Sequence, residues 1–303
     1  MRRLDPDAKS RPKARKKNAF EEGEEKESAG KKRDEGSLVA EANRSNQDGI
    51  HQGPAPDAIG QFRQPGQVVT NSLGIRFAWI PPRTFLMGSP AGEKEREGSE
   101  AQHQARLSKG FFMGTCPVTQ AHWKKVMGEN PSRFRGENLP VEQISWHECA
   151  AFCKKMSEMD GKLYRLPSES EWEHACRAGT ITPFHFGETI LADQGNFDAK
   201  YPYGDGKKGT CRQQTTPVDE FAPNAWGLFD VHGNVWEWCS DWYGIYPTED
   251  SVDCHGPTNG AERVIRGGAW NQIPKRCRSA YRECSDPNKR RKDVGFRVCF
   301  SED

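Results

Sequence analysis

The sequence predicts an α+β fold: one compact domain, residues 65–303, with little regular secondary structure, behind a charged tail, residues 1–64. Three observations carry that reading. Short apolar runs suited to single strands alternate with only two or three helical patterns, and no strand–helix–strand unit repeats. The loops between them are long: Gly179 to Asn224 is rich in Gly, Pro, Asp and Thr and shows little periodicity. The aromatics able to fill a core begin late, because residues 1–60 hold no Trp, Tyr or Cys and a single Phe, Phe20.

In the tail, Arg2 to Lys17 carries eight basic residues against Asp5 and Asp7, and Glu21 to Glu27 carries five acids against Lys26. Like-charge blocks with few apolar residues cannot offset the chain entropy of folding, so a disordered tail is expected. The acidic block weakens the field of the basic one, and nucleic acid is not an expected partner. Val68 to Gly74 leads into the folded part. Ile75-Arg-Phe-Ala-Trp-Ile80 alternates as a strand and stops at Pro81-Pro82. Thr84 to Gly88 reads as a second strand and Ser89 to His103 as a charged loop.

After the apolar run Phe111 to Val118, Thr119 is placed to cap a helix carrying Trp123, Val126 and Met127. Ser145 to Met159 repeats apolar residues at Trp146, Cys149, Ala150, Cys153 and Met156, close to the 3.6 period of a helix. Ser168 to Ala178 is a further helix, with Ser168 and Glu171 spaced as a capping box and Gly179 just beyond. That role accounts for Glu171, and neither it nor Glu173 is expected to be catalytic. Val264 to Trp270 and Val294 to Phe300 read as late strands.

Several functions lack their residues. No apolar run approaches the ~18 residues of a membrane span, and no apolar segment follows the basic start. A membrane is therefore not expected, and the address reads as cytoplasmic. Ten cysteines run from Cys116 to Cys299 without a C-x-x-C pair, which argues against zinc and for reduced, half-buried thiols. The G-x-x-x-x-G-K-[ST] phosphate loop, H-E-x-x-H and G-x-S-x-G are missing, and the one G-x-G-x-x-G match, Gly204 to Gly209, lies inside the long loop with no strand before it or helix after it to make a phosphate cradle. The late arginines Arg263, Arg266, Arg276, Arg278, Arg282 and Arg297 suit an anionic ligand, but the commoner outcome, and the one expected, is a place at the surface paired with acids.

The stretch that asks for chemistry is Asp230 to Trp242, with three tryptophans, three carboxylates and a Gly-Asn turn. Carboxylates among buried aromatics need a partner or a cation. The Asp230 and Glu237 carboxylates, with carbonyls near Gly233 and Val235, form an oxygen set of the kind that holds a hard cation. A structural turn with core tryptophans is the equal alternative, and His232 suits a structural hydrogen bond as well as catalysis. Asn196-Phe197 with Gly204-Asp-Gly-Lys207 offers a second, weaker set.

Taken in order, Pro117-Val-Thr-Gln120, Pro140-Val-Glu-Gln-Ile-Ser-Trp146, Leu166 to Gly179, Gly233-Asn-Val-Trp-Glu-Trp238, Arg266-Gly-Gly-Ala-Trp270 and Gly295-Phe-Arg297 resemble the formylglycine-generating-enzyme, or sulfatase-modifying-factor, family. The resemblance covers roughly Gly74 to Phe300 and implies a single domain related to C-type lectins, with bound calcium. It implies one calcium site at Asn196, Phe197, Asp205 and Lys207, and another at Asp230, Gly233, Val235 and Glu237.

Oxidases of this family carry a copper-binding cysteine three residues after a serine and a second cysteine five further on; two thiolates suit Cu(I), a soft ion. Here Ala269 stands for the serine and Gln272 for the first cysteine. Cys277, flanked by Arg276 and Arg278, is assigned to the strand that follows and not to the second cysteine position. Cys284, seven residues on, does not restore the pair. Copper is not expected, and no catalytic residue is assigned. Iron-dependent sulfoxide synthesis, which relies on a histidine-rich domain, finds only His51 in the tail. The expectation is a divergent, calcium-stabilised scaffold that binds a protein or peptide without copper-dependent oxidase activity. The alternative is a formylglycine-generating oxidase, or a related enzyme, acting on a sulfatase or another protein cysteine.

Overall fold

The computed structural model describes residues 63–247 and 249–302. The predicted tail, with its charge blocks and His51, lies outside the described residues except for its last two positions. The chain opens with β1 (Val68–Thr70), β2 (Arg76–Ile80), β3 (Arg83–Met87), β4 (His103–Leu107) and β5 (Phe111–Gly114). Next come α1 (Gln120–Met127), α2 (Trp146–Asp160), β6 (Tyr164–Arg165) and α3 (Glu169–Arg177). No helix or strand follows until β7 (Trp236–Trp242), β8 (Ser251–Val252) and β9 (Arg263–Arg266). A 3-10 turn (Pro274–Cys277) then precedes β10 (Arg282–Ser285), β11 (Val294–Gly295) and β12 (Cys299–Phe300). The fold is α+β, with many short strands and few helices.

Three sheets form among the described residues, in the orders β1-β2-β5-β12-β6, β10-β9-β7-β11 and β3-β4-β8. The first is antiparallel throughout, and β12 near the chain's end closes between β5 and β6. Its central strands are covered on both faces. Phe77 and Trp79 of β2 pack with Phe112, Phe300, Trp123 of α1 and Phe152 of α2, while Ala78 and Ile80 pack with Phe111, Met113 and Trp172 of α3. Successive strand residues point to opposite faces, so a strand buried on both reads as an apolar run. Phe112 and Phe300 stack at 4.9 Å, and Trp123 and Phe152 at 5.4 Å.

The helices start at caps. The Thr119 hydroxyl accepts the His122 N–H at the head of α1, and complete capping boxes, Ser145 with Glu148 and Ser168 with Glu171, head α2 and α3. Each satisfies backbone donors that the first turn leaves free. The late strands differ from their prediction. Val264 to Trp270 is a strand only through Arg266, because Gly267 and Gly268 turn the chain with positive φ. Val294 to Phe300 divides into β11 and β12, which sit in different sheets on either side of Arg297. The predicted loop Ser89 to His103 gives way to β4 at its last residue, and β7 occupies what the sequence presents as a turn with packed tryptophans.

Candidate functional site

The four-stranded sheet places the central motif. β7 pairs antiparallel with β9, setting Glu237 opposite Arg266, and parallel with β11, setting it opposite Gly295. Arg297 follows β11 and turns inward. Its Nε and Nη2 donate to the two oxygens of Glu237, each at 2.6 Å, and its remaining donors reach the carbonyls of Gly114 and Phe229. Trp172 Nε1 of α3 adds a third bond to Glu237, at 2.7 Å. The acid needs a positive partner, as its burial requires. That partner is an arginine, so the charge of Glu237, expected as a calcium ligand, is met here by Arg297.

The same device recurs through the late arginines. All nine residues of α3 are buried, its three glutamates included. Glu169 takes Arg282 at 2.8 and 2.6 Å, Glu171 takes Arg165 at 2.6 and 2.7 Å, and Glu173 takes both Arg177 and Arg266. Arg278 forks onto Glu100 at 2.8 and 2.7 Å and meets Glu93 at 2.5 Å. Four of the six arginines expected at the surface, Arg266, Arg278, Arg282 and Arg297, are buried instead. Arginine's planar fork matches a carboxylate with two bonds, which lets both charges leave water together. Glu171 and Glu173 are therefore structural. So is His232: its Nδ1 lies 2.7 Å from the Cys277 carbonyl and its Nε2 accepts the His185 N–H at 3.0 Å. Burial holds that ring neutral, its pKa well below the ordinary value.

The two predicted calcium sets touch at Asn196 and Gly233. Asn234 donates its N–H to the Asn196 carbonyl at 2.8 Å, and a Cβ on Gly233 would collide with that carbonyl. Asn196 Oδ1 and Asp230 Oδ1 are both buried without a donor, an uncommon state for buried acceptors that a cation would relieve. Burial above all pushes Asp230 up to about 7. The Phe197 side chain is core, and Asp205 and Lys207 lie in an exposed turn. Among the described residues no group of three His, Cys, Asp or Glu side chains is placed to hold a metal; both sets rely on amide and backbone oxygens as well. Asn196 and Asp230 fit a hard cation, while Glu237 already has its counter-charge. Asn234, absent from the prediction, joins the sets: its amide binds Thr216 through both atoms, and its carbonyl accepts the Trp270 N–H at 3.0 Å. The Gly-Asn turn in the sequence was the available sign.

Trp270 opens the segment where oxidases of the resembled family keep their thiols. Gln272 accepts Arg276 Nη1 at 3.2 Å and donates to Asn271 at 3.1 Å, and its carbonyl accepts the Asp198 N–H. Cys277 ends the 3-10 turn and is not in a strand. It stands five residues after Gln272, the spacing of the second cysteine, which corrects its predicted assignment. Its thiol is fully buried under Gly268, and burial pushes it up to about 12. Cys284 lies apart, bonded to Glu262 on β9's approach. All ten cysteines are free, and six are fully buried, more than the half-buried expectation. The residues present do not fit a two-thiolate copper site. Beneath this segment Glu142 is buried with Oε2 unpartnered, and burial raises it to about 7; its sequence context gave no sign of this.

Residues 65–301 match the sulfatase-modifying factor enzyme 1-like domain. The chain belongs to that family. It is 34% identical over 208 residues to the formylglycine-generating enzyme of Mus musculus, covering 64% of this chain and 52% of that protein. It is 33% identical over 264 residues to the serine/threonine-protein kinase pkn1 of Chlamydia caviae, covering 76% of this chain and 39% of that protein. The chain thus spans about half, or less, of the length of these curated relatives. Among solved structures it resembles PvdO from Pseudomonas aeruginosa, with a TM-score of 0.69 and 27% identity over 79% of this chain and 100% of that one. Treponema denticola variable protein 1 gives a TM-score of 0.67 and 26% identity over 78% of this chain and 99% of that one. The sulfatase-modifying-factor fold is therefore shared by proteins with different names, and function has to be read from the site.

Proposed function

We propose that this sulfatase-modifying-factor domain is a calcium-stabilised scaffold that binds a protein or peptide and lacks copper-dependent oxidase activity. The observation that carries the reading is Gln272 where the first copper-binding cysteine belongs, with its amide tied to Arg276 and Asn271. A single buried thiol, Cys277, cannot supply the pair of soft ligands that Cu(I) favours. Calcium, where bound, supplies only charge: Asn196 and Asp205 with the carbonyls of Phe197 and Lys207 would hold one ion, and Asp230 and Glu237 with the carbonyls of Gly233 and Val235 another. Incubating the purified protein with Cu(I), oxygen and a Cys-x-Pro-x-Arg peptide tests the reading. The peptide cysteine is expected to survive, and conversion to formylglycine removes the proposal.

One observation favours the alternative of a related enzyme with displaced ligands. Cys211, half-buried, lies with its sulfur 3.7 Å from the Trp270 carbonyl, beside the segment that carries Cys277. If alanine at Cys211 and Cys277 leaves every measured turnover unchanged, that alternative has lost its nearest thiols.

A further inference from the structure

The cations of this domain fall into two groups. Those inside meet glutamates, as Arg266, Arg278, Arg282 and Arg297 do. Those around Trp270 are held by aromatic rings instead. Lys292 Nζ lies 5.3 Å from the Trp270 ring, and exposed Arg133 lies 5.8 Å from the ring of Phe134, which itself meets Trp270 edge to face at 5.4 Å. Arg276, with 43% of its side chain exposed, lies 6.0 Å from the Tyr281 ring and donates to Gln272.

Among the described residues neither Arg133 nor Lys292 forms an ion pair, and Arg276 reaches only Glu283, at 3.7 Å. A ring's quadrupole steadies a cation without cancelling its charge; a carboxylate does both. Of the buried acids on this side, Asp293 is already taken by Arg291 at 3.0 Å and by Asn271 at 3.2 Å, and Glu142, near enough to Arg133 for the two charges to interact, accepts the Phe134 N–H at 2.9 Å. The face thus presents positioned positive charge, and among the described residues Glu283 is the one carboxylate in ion-pair reach of these three cations.

We propose that this face docks an acidic peptide segment of a partner protein, with Arg133, Arg276 and Lys292 receiving its carboxylates. The proposal rests on the scaffold reading and names the chemistry of the partner. Nucleic acid also answers to positive charge, but single strands bind through open ring faces on which bases stack. Trp270 and Tyr281 are 7% and 6% exposed, and Phe134 is spent on Trp270, so the face offers charge without a stacking platform.

The test is fluorescence anisotropy of a labelled glutamate-rich peptide titrated with the full chain, beside an oligothymidylate of equal charge and a Cys-x-Pro-x-Arg peptide. The acidic peptide is expected to bind best, with affinity falling as salt rises, and the triple variant Arg133→Glu, Arg276→Glu, Lys292→Glu to lose about tenfold or more. Lys292→Glu alone, expected to lose about threefold, keeps the test open should the triple variant fail to fold. Unchanged affinity in either folded variant overturns the proposal. So does tighter binding of the oligothymidylate through the same residues, which would assign the face to nucleic acid. Failure here with no formylglycine formed leaves the scaffold reading standing and moves its docking surface elsewhere; formylglycine formation removes the scaffold reading itself.

Discussion

At the scale of single residues, Glu237 shows what a sequence can and cannot say. Its burial among Trp236, Trp238 and Trp172 makes an unpaired carboxylate untenable, and that much is legible from the pattern of acids and tryptophans. The identity of the partner is not, since Arg297 lies 60 positions away and only the parallel pairing of β11 with β7 brings the two together. A buried pair broken on one side leaves a bare charge, at a cost of about 3–5 kcal/mol. Arg297→Ala is therefore expected to lower unfolding free energy by about that amount in urea titrations. Arg297→Met together with Glu237→Leu should cost less than Arg297→Ala alone, and the opposite order would contradict the pairing account. Asn196 and Asp230, which the sequence offers as cation ligands, carry buried acceptors without donors, but the role of Asn234 in tying the Asn196 loop to Thr216 and Trp270 is not visible from the Gly-Asn turn alone.

Among the elements, the helices were the most legible, because caps and a 3.6 period are local properties. α1, α2 and α3 lie within a residue or two of where Thr119, Ser145 and Ser168 place them. Strands such as β6, β8 and β11 are two residues long and exist only through their partners, so no local pattern announces them. β7 is nearly all buried and lacks the alternation of a half-exposed strand. Its Asp241 shows how elements couple: the carboxylate accepts the Glu169 N–H at the start of α3, at 3.0 Å.

Burial, and after it the nearby Glu169, pushes Asp241 up to about 7. The unfolded carboxyl titrates near about 3.9, so folded Asp241 holds an extra proton between about pH 4 and pH 7 and its contribution to stability falls as pH rises across that window, while the buried His174, His185 and His232, held neutral by burial, contribute in the opposite sense. Glu142, also raised to about 7, adds to the slope. Asp241→Asn is expected to gain stability relative to the parent progressively from about pH 4 to pH 7, by on the order of a few kcal/mol at about pH 8. A difference between variant and parent that does not grow with pH across that window would contradict this account of Asp241.

For the whole molecule, the family scaffold is present, and Gln272 stands where the resemblance leads one to expect a first cysteine. Polar anchors hold the parts that lack regular structure: Asn196 and Asn234 across the long loop, and the glutamate–arginine pairs around α3. If calcium adds to these anchors, chelation should lower the melting temperature, since a ligand that binds only the folded state stabilises it by mass action. An unchanged melt, with no metal by elemental analysis, would remove calcium from the account. The ordered motifs made the fold readable in the sequence. The loss at Gln272 was equally readable, whereas the burial of Cys277 needed the 3-10 turn and Gly268 to be seen in place.

The central claim is that one buried thiol beside a glutamine cannot form a copper centre, and Cu(I) affinity measures it most directly. In competition with a colorimetric Cu(I) chelator under reducing, anaerobic conditions, the unaltered protein should leave the chelator's copper untouched, while Gln272→Cys, which restores the pair with Cys277, should withdraw one equivalent. Withdrawal of copper by the unaltered protein, abolished by Cys277→Ala, would contradict the account.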